Sequence, residues 1–147
     1  MSVRRFRGST TVVVIDEDPE QRATVESMLV SRGFHVSTTG EAAEGLECVR
    51  RSGADVVVVG LEKSAQTLDL IRRLRGRFEP IPLPVQPRIL VTSRQLDESI
   101  ERFARKLGAD AFLRRPLSDG RCADVVSELA RRPPVSQACA TPAHEAV

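Results

Sequence analysis

The sequence predicts an α/β fold, a doubly wound parallel sheet covered by helices on both faces. Three observations point there. Apolar runs suited to strands alternate five times with segments of helical periodicity. The joining turns are short, as strand–helix–strand units require. The central run Val56-Val57-Val58-Val59 is apolar without a break, which reads as a strand buried on both faces.

Each element has a local reason. Thr11 to Ile15 is the first strand. Asp18-Pro19-Glu20-Gln21 opens the first helix, with Asp18 as N-cap, Pro19 in the first helical position and Gln21 at the reciprocal capping-box place. Val25, Met28 and Leu29 form its inward stripe, and Gly33 ends it. Phe34 to Thr38 alternates apolar and polar residues, the pattern of a half-exposed edge strand. Glu41 to Arg51 is the second helix, turned inward through Ala42, Leu46 and Val49. After the valine strand a third helix covers Ala65 to Arg75, buried through Leu68, Ile71 and Leu74. Four prolines between Arg77 and Pro87 forbid a helix or a central strand and imply an extended surface loop. It is longer than the connection needs, which makes residues 78–87 a candidate contact element. Arg88 to Thr92 is the fourth strand, Gln95 to Leu107 the fourth helix, Asp110 to Leu113 the fifth strand and Leu117 to Arg131 the last helix.

With right-handed crossovers and the amphipathic second strand at an edge, the expected strand order is 2-1-3-4-5, the flavodoxin-like (βα)5 arrangement. One domain over residues 10–132 is expected, with an N-terminal tail (1–9) and a disordered C-terminal tail (133–147). No output domain is visible, so the chain is expected to stand alone or to act through partners.

Composition narrows the function. Hydrophobic residues make up 41% and charged residues 29%, ordinary for a soluble domain. Net charge is +2 and aromatics are 3%, with neither Trp nor Tyr, which argues against a nucleic-acid surface. The arginine clusters at 4–7 and 72–75 read as solvated faces. Cys48, Cys122 and Cys139 are odd in number and widely spaced, consistent with a reduced, cytoplasmic compartment. Cys122 is in step with Val125, Val126 and Leu129 and reads as core. No signal peptide and no membrane span is expected. His35 and His144 have no partner at catalytic or metal spacing, and no P-loop, dinucleotide loop or nucleophile elbow is present.

In an open parallel sheet, ligands gather beyond the carboxyl ends of the strands. There the first strand brings Asp16-Glu17-Asp18, the third Gly60, the fourth Thr92-Ser93, and the fifth Arg114-Arg115-Pro116. The segments VVVIDEDP, ADVVVVGL, RILVTS and GADAFLRRP, in that order, resemble the receiver domain of bacterial two-component response regulators over residues 10–131.

That resemblance implies roles. Asp16 and Glu17 match an acidic pair that binds a divalent metal, and Thr92 matches a hydroxyl that contacts the phosphoryl group. Phe112 matches a switch aromatic, without the usual tyrosine hydroxyl. Arg115-Pro116 matches a Lys-Pro whose bond is cis, with arginine substituted. Gly60 stands where the family has its phosphoacceptor aspartate, and Lys63-Ser64 replaces the usual Met-Pro. Without a carboxylate at position 60 no acyl phosphate can form there. Mg²⁺ binding through Asp16 and Glu17 is then expected to be weak or lost, with no other cofactor. Arg115 could pair with Asp16 or Glu17 in the space thus vacated.

The expectation is a non-enzymatic, phosphorylation-independent pseudo-receiver, a protein–protein interaction module in signal transduction. Its contact face would be the fourth helix, fifth strand and fifth helix, including Arg102, Arg105, Lys106 and Asp110, with a homodimer through that face as an option. Two alternatives remain: phosphorylation at a surrogate acceptor, Glu62 or Ser64, and a small ligand in the emptied crevice.

Overall fold

In the computed structural model residues 10–76, 86–95, 97–117 and 120–132 are described. The two expected tails and the proline-bearing stretch 77–85 lie outside the described residues. The elements are β1 (Thr11–Asp16), α1 (Pro19–Ser31), β2 (His35–Thr39), α2 (Ala42–Ser52), β3 (Val56–Gly60), α3 (Ser64–Leu74), β4 (Arg88–Ser93), α4 (Glu98–Leu107), β5 (Ala111–Arg114) and α5 (Arg121–Arg131). All strand pairs are parallel, in the order β2-β1-β3-β4-β5. This is the flavodoxin-like doubly wound sheet.

The two-residue period of the strands builds two cores from the same residues. Val13, Ile15, Val57, Val59, Ile89 and Val91 face α2, α3 and α4, where Leu46, Leu70, Ile71 and Leu74 meet them. Val12, Val14, Val56, Val58 and Leu90 face α1 and α5, where Val25, Leu29, Val126 and Leu129 meet them. β3, central in the sheet, is buried along its whole length. β2 is nowhere fully buried, as befits an edge.

Local chemistry sets the helix ends. The Asp18 carboxylate accepts from the N–H groups of Glu20 and Gln21 at 3.0 and 3.4 Å. α2 closes on Gly53 at φ 66°, a left-handed cap suited to glycine.

Several expected boundaries shift. α4 begins at Glu98 and not at Gln95, because Asp97 takes the N-cap and its carboxylate accepts the Ser99 N–H at 2.8 Å. α5 begins at Arg121 and not at Leu117. Leu117 is buried ahead of the helix, and Gly120, at φ 81°, forms the N-cap. β2 runs from His35 to Thr39, one residue later than its alternation suggested. The end of the expected surface loop is not on the surface, since Gln86 and Pro87 are both buried.

That burial has a cause. The Arg75 guanidinium donates to Gln86 Oε1 at 3.1 Å, to the Pro87 carbonyl at 2.7 Å and to the Gly108 carbonyl at 2.7 Å, and it pairs with Asp110 at 3.2 Å. Asp110 also accepts the Ile89 N–H at 2.8 Å and pairs with Arg88 at 3.5 Å. Asp110 therefore ties the starts of β4 and β5 to the end of α3, at the sheet end opposite the crevice. Asp110 was expected on the contact face; its side chain is instead only 16% exposed and engaged in this network.

Candidate functional site

The crevice lies beyond the carboxyl ends of β1, β3, β4 and β5. Strand register brings its parts together. Asp16 pairs with Gly60 across β1 and β3, and Thr92 with Leu113 across β4 and β5. Arg115 follows β5 directly, its N–H held by the Ser93 carbonyl at 2.9 Å, and the Arg115–Pro116 peptide bond is cis.

From that position the Arg115 side chain reaches back over the ends of β4 and β3. Its Nη2 donates to Asp16 Oδ1 at 2.5 Å and to the Gly60 carbonyl at 3.2 Å. The side chains of Arg115 and Asp16 are 3% and 1% exposed, so this is an ion pair sealed from water. A buried pair of this kind holds together only with further hydrogen bonds. Asp16 Oδ1 has one, from the Asp18 N–H at 3.0 Å.

Gly60 is the floor of the arrangement. A Cβ placed on it would sit 2.6 Å from Arg115 Nη2, 2.8 Å from Asp16 Oδ2 and 2.8 Å from Thr92 Oγ1. Those are hydrogen-bonding distances, too short for a methyl group. Asp16 Oδ2, Thr92 Oγ1 and Arg115 Nε are buried with no hydrogen-bond partner. Three polar side chains from β1, β4 and the end of β5 thus crowd the space above a residue that has no side chain.

Glu17 is turned elsewhere. Its Oε1 accepts the Glu62 N–H at 2.8 Å, bracing the loop between β3 and α3. The two acids at the end of β1 therefore do not converge on one point: Asp16 answers Arg115, and Glu17 answers the backbone. Among the described residues no group of three or more His, Cys, Asp or Glu side chains is disposed to hold a metal ion.

Beside Gly60 a cavity of about 220 Å³ opens, lined by Leu61, Glu62, Ser64, Ser93, Arg94, Gln95 and Arg115. Glu62 and Ser64, the two surrogate acceptors considered from sequence, both lie on its wall. A smaller space of about 30 Å³ lies between Thr92, Phe112, Ala104 and Ile100. Phe112 is half-buried, and the guanidinium carbon of Arg105 stands 4.8 Å from its ring centroid, a cation–π contact.

Sequence reasoning missed the helpers of this site. Arg22 donates to the Asp16 carbonyl at 2.7 Å, and Arg94 pairs with Asp18 at 3.4 Å. Arginines are frequent along this chain, and spacing does not separate those that reach inward from those in water.

The family model for the response regulator receiver domain matches residues 12–127. The chain belongs to that family. The receiver domain is 31% identical over 106 residues to the cell cycle transcriptional regulator CtrA of Caulobacter vibrioides, covering 71% of this chain and 43% of the relative. It is 29% identical over 111 residues to the sensory transduction protein RegX3 of Mycolicibacterium smegmatis, covering 74% of this chain and 45% of the relative. The chain thus spans less than half the length of these curated relatives. Among solved structures, a response regulator from Thermotoga maritima superposes with a TM-score of 0.73 at 26% identity, covering 84% of this chain and 99% of that one. The receiver domain is therefore a part of two-component signalling. Among its described residues no helix is long and apolar enough to cross a membrane.

Proposed function

We propose that this receiver domain works without phosphorylation, as a pseudo-receiver that signals by binding a partner protein. One observation carries the reading. Position 60, where the resemblance puts the phosphoacceptor aspartate, is glycine, and the Arg115 guanidinium faces the space its side chain would use while pairing with Asp16. Glycine supplies no nucleophilic oxygen, so no acyl phosphate forms at that position. Mg²⁺ binding is weak or absent, because Asp16 already has a cation beside it.

Output then rests on a fixed surface. Arg102, Phe103, Arg105 and Lys106 are exposed on α4, next to the edge strand β5. Phe103, 45% exposed, is one of two large apolar side chains open to solvent among the described residues. A signalling protein, or a second copy of the chain, would contact this face, in the cytoplasm. Nucleic acid is not the expected partner.

The test is an NMR titration of the protein with Mg²⁺ and beryllofluoride, a mimic of the phosphorylated aspartate. Unmoved signals at Asp16, Glu17, Thr92 and Arg115 are the expected result. Saturable shifts there, spreading to Phe112, would refute the reading. They would favour the surrogate one, for which the position of Glu62 and Ser64 on the 220 Å³ cavity speaks. A small ligand in the same cavity is the third reading, and its signature would be shifts at cavity residues on adding that ligand without Mg²⁺.

A further inference from the structure

A divalent cation is the group the family implies for this crevice, and the side chains present do not fit it. Hard cations gather carboxylate oxygens free to converge. Here Asp16 Oδ1 is taken by Arg115 Nη2 and the Asp18 N–H, Glu17 Oε1 is taken by the Glu62 N–H, and position 60 has no carboxylate, which leaves Asp16 Oδ2 as the one buried carboxylate oxygen without a partner among the described residues, too few for a hard cation. A buried guanidinium against Asp16 also repels a second cation at short range.

We propose that Arg115 is the crevice's built-in counter-cation, coupled to glycine at position 60: the guanidinium balances Asp16 in place of a metal ion and stands in the space a residue-60 side chain would use, so that such a side chain must displace it. The inference rests on the phosphorylation-independent reading above and adds a mechanism to it. Two independent features agree. The ion pair is sealed, with both side chains at most 3% exposed. And a single carbon added to Gly60 would meet Arg115 at 2.6 Å, closer than it would meet either Asp16 or Thr92. Arginine's fork reaches Asp16 and the Gly60 carbonyl with the same nitrogen. Lysine, with a compact ammonium on a thinner stem, could pair with Asp16 and leave room for a side chain. Restoring an acid at position 60 is therefore insufficient while Arg115 remains.

The experiment compares four full-length chains: wild type, Gly60→Asp, Arg115→Lys and the double variant. The probe is Mn²⁺ alone, read by paramagnetic broadening of the amide signals of residues 16–18 and 60–62. The double variant should bind Mn²⁺ at this site about tenfold or more tightly than Gly60→Asp, since only there does a carboxylate at position 60 have room to converge with Asp16. Equal affinity in Gly60→Asp and the double variant overturns the proposal. Local broadening in the wild type at comparable Mn²⁺ overturns the proposal as well, whereas saturable beryllofluoride shifts in the wild type would undo the phosphorylation-independent reading, so the two failures are distinct. Should the double variant not fold, thermal unfolding of Gly60→Ala decides. Its loss in Tm must be smaller in the Arg115→Lys background than in the wild-type one, and equal losses overturn the coupling.

Discussion

Arg115 and Asp16 stand 99 residues apart in the chain and form one sealed ion pair at the mouth of the sheet, Nη2 to Oδ1 at 2.5 Å. Removing one partner strands the other. Arg115→Met is expected to cost about 3–5 kcal/mol, the usual penalty for an uncompensated buried charge. Adding Asp16→Asn should recover part of that loss. Urea unfolding of both singles and the double measures the coupling, and strictly additive losses would contradict the pairing.

Arg75 is another inward arginine, at the opposite end of the sheet. Its side chain and that of Asp110 are 17% and 16% exposed. Arg75→Met leaves the Gly108 and Pro87 carbonyls without this donor, and should cost about 2–3 kcal/mol. Arg73→Ala, whose pair with Asp69 is about half exposed on both sides, should cost only about 0.3–0.5 kcal/mol and fade with added salt. Equal losses in urea for the two variants would mean that the Arg75 network contributes nothing special.

Cys122 is fully buried, and burial, with Asp16 adding to it, pushes its thiol up to about 12 from an ordinary 9.0. The folded state thus favours the neutral thiol. This stabilisation is complete below pH 9 and is lost as pH rises toward 12. Iodoacetamide at pH 8 should leave the Cys122 peptide unmodified in the native protein and label it once urea is added. Rapid native labelling would contradict the burial.

Asp97 caps α4, and its carboxyl lies below the ordinary 3.8 because the Ser99 hydroxyl and backbone N–H, with the Ile100 N–H, stabilise the charged form. Its contribution is therefore present above the unfolded carboxylate range and disappears as pH falls through the lowered value. A ¹³C carboxyl titration by NMR should place Asp97 below 3.8. A midpoint at or above 3.8 would show that the cap is not formed in solution.

Much of the architecture was legible in the residue pattern. Unbroken valines marked β3 as central, the alternation in β2 marked an edge, and Asp18-Pro19 marked the start of α1. The starts of α4 and α5 were read too early. Leu117 continues the helical apolar spacing, but Asp97 and Gly120 cap α4 and α5 later, and no periodicity separates a buried loop residue such as Leu117 from a helical one. Asp110 looked like a surface acid because spacing carries no information about Arg75 and Arg88 closing on it.

The sequence by itself determined the sheet, its strand order and the glycine at position 60, because hydrophobic period and turn chemistry are local properties written along the chain. Only the tertiary structure decided which arginine fills the crevice, that its partner is Asp16 while Glu17 braces the Glu62 backbone, and that Arg75 clamps the far end. Those choices depend on which long side chains are brought within hydrogen-bonding distance and sealed from water, a property of packing between residues far apart in the chain.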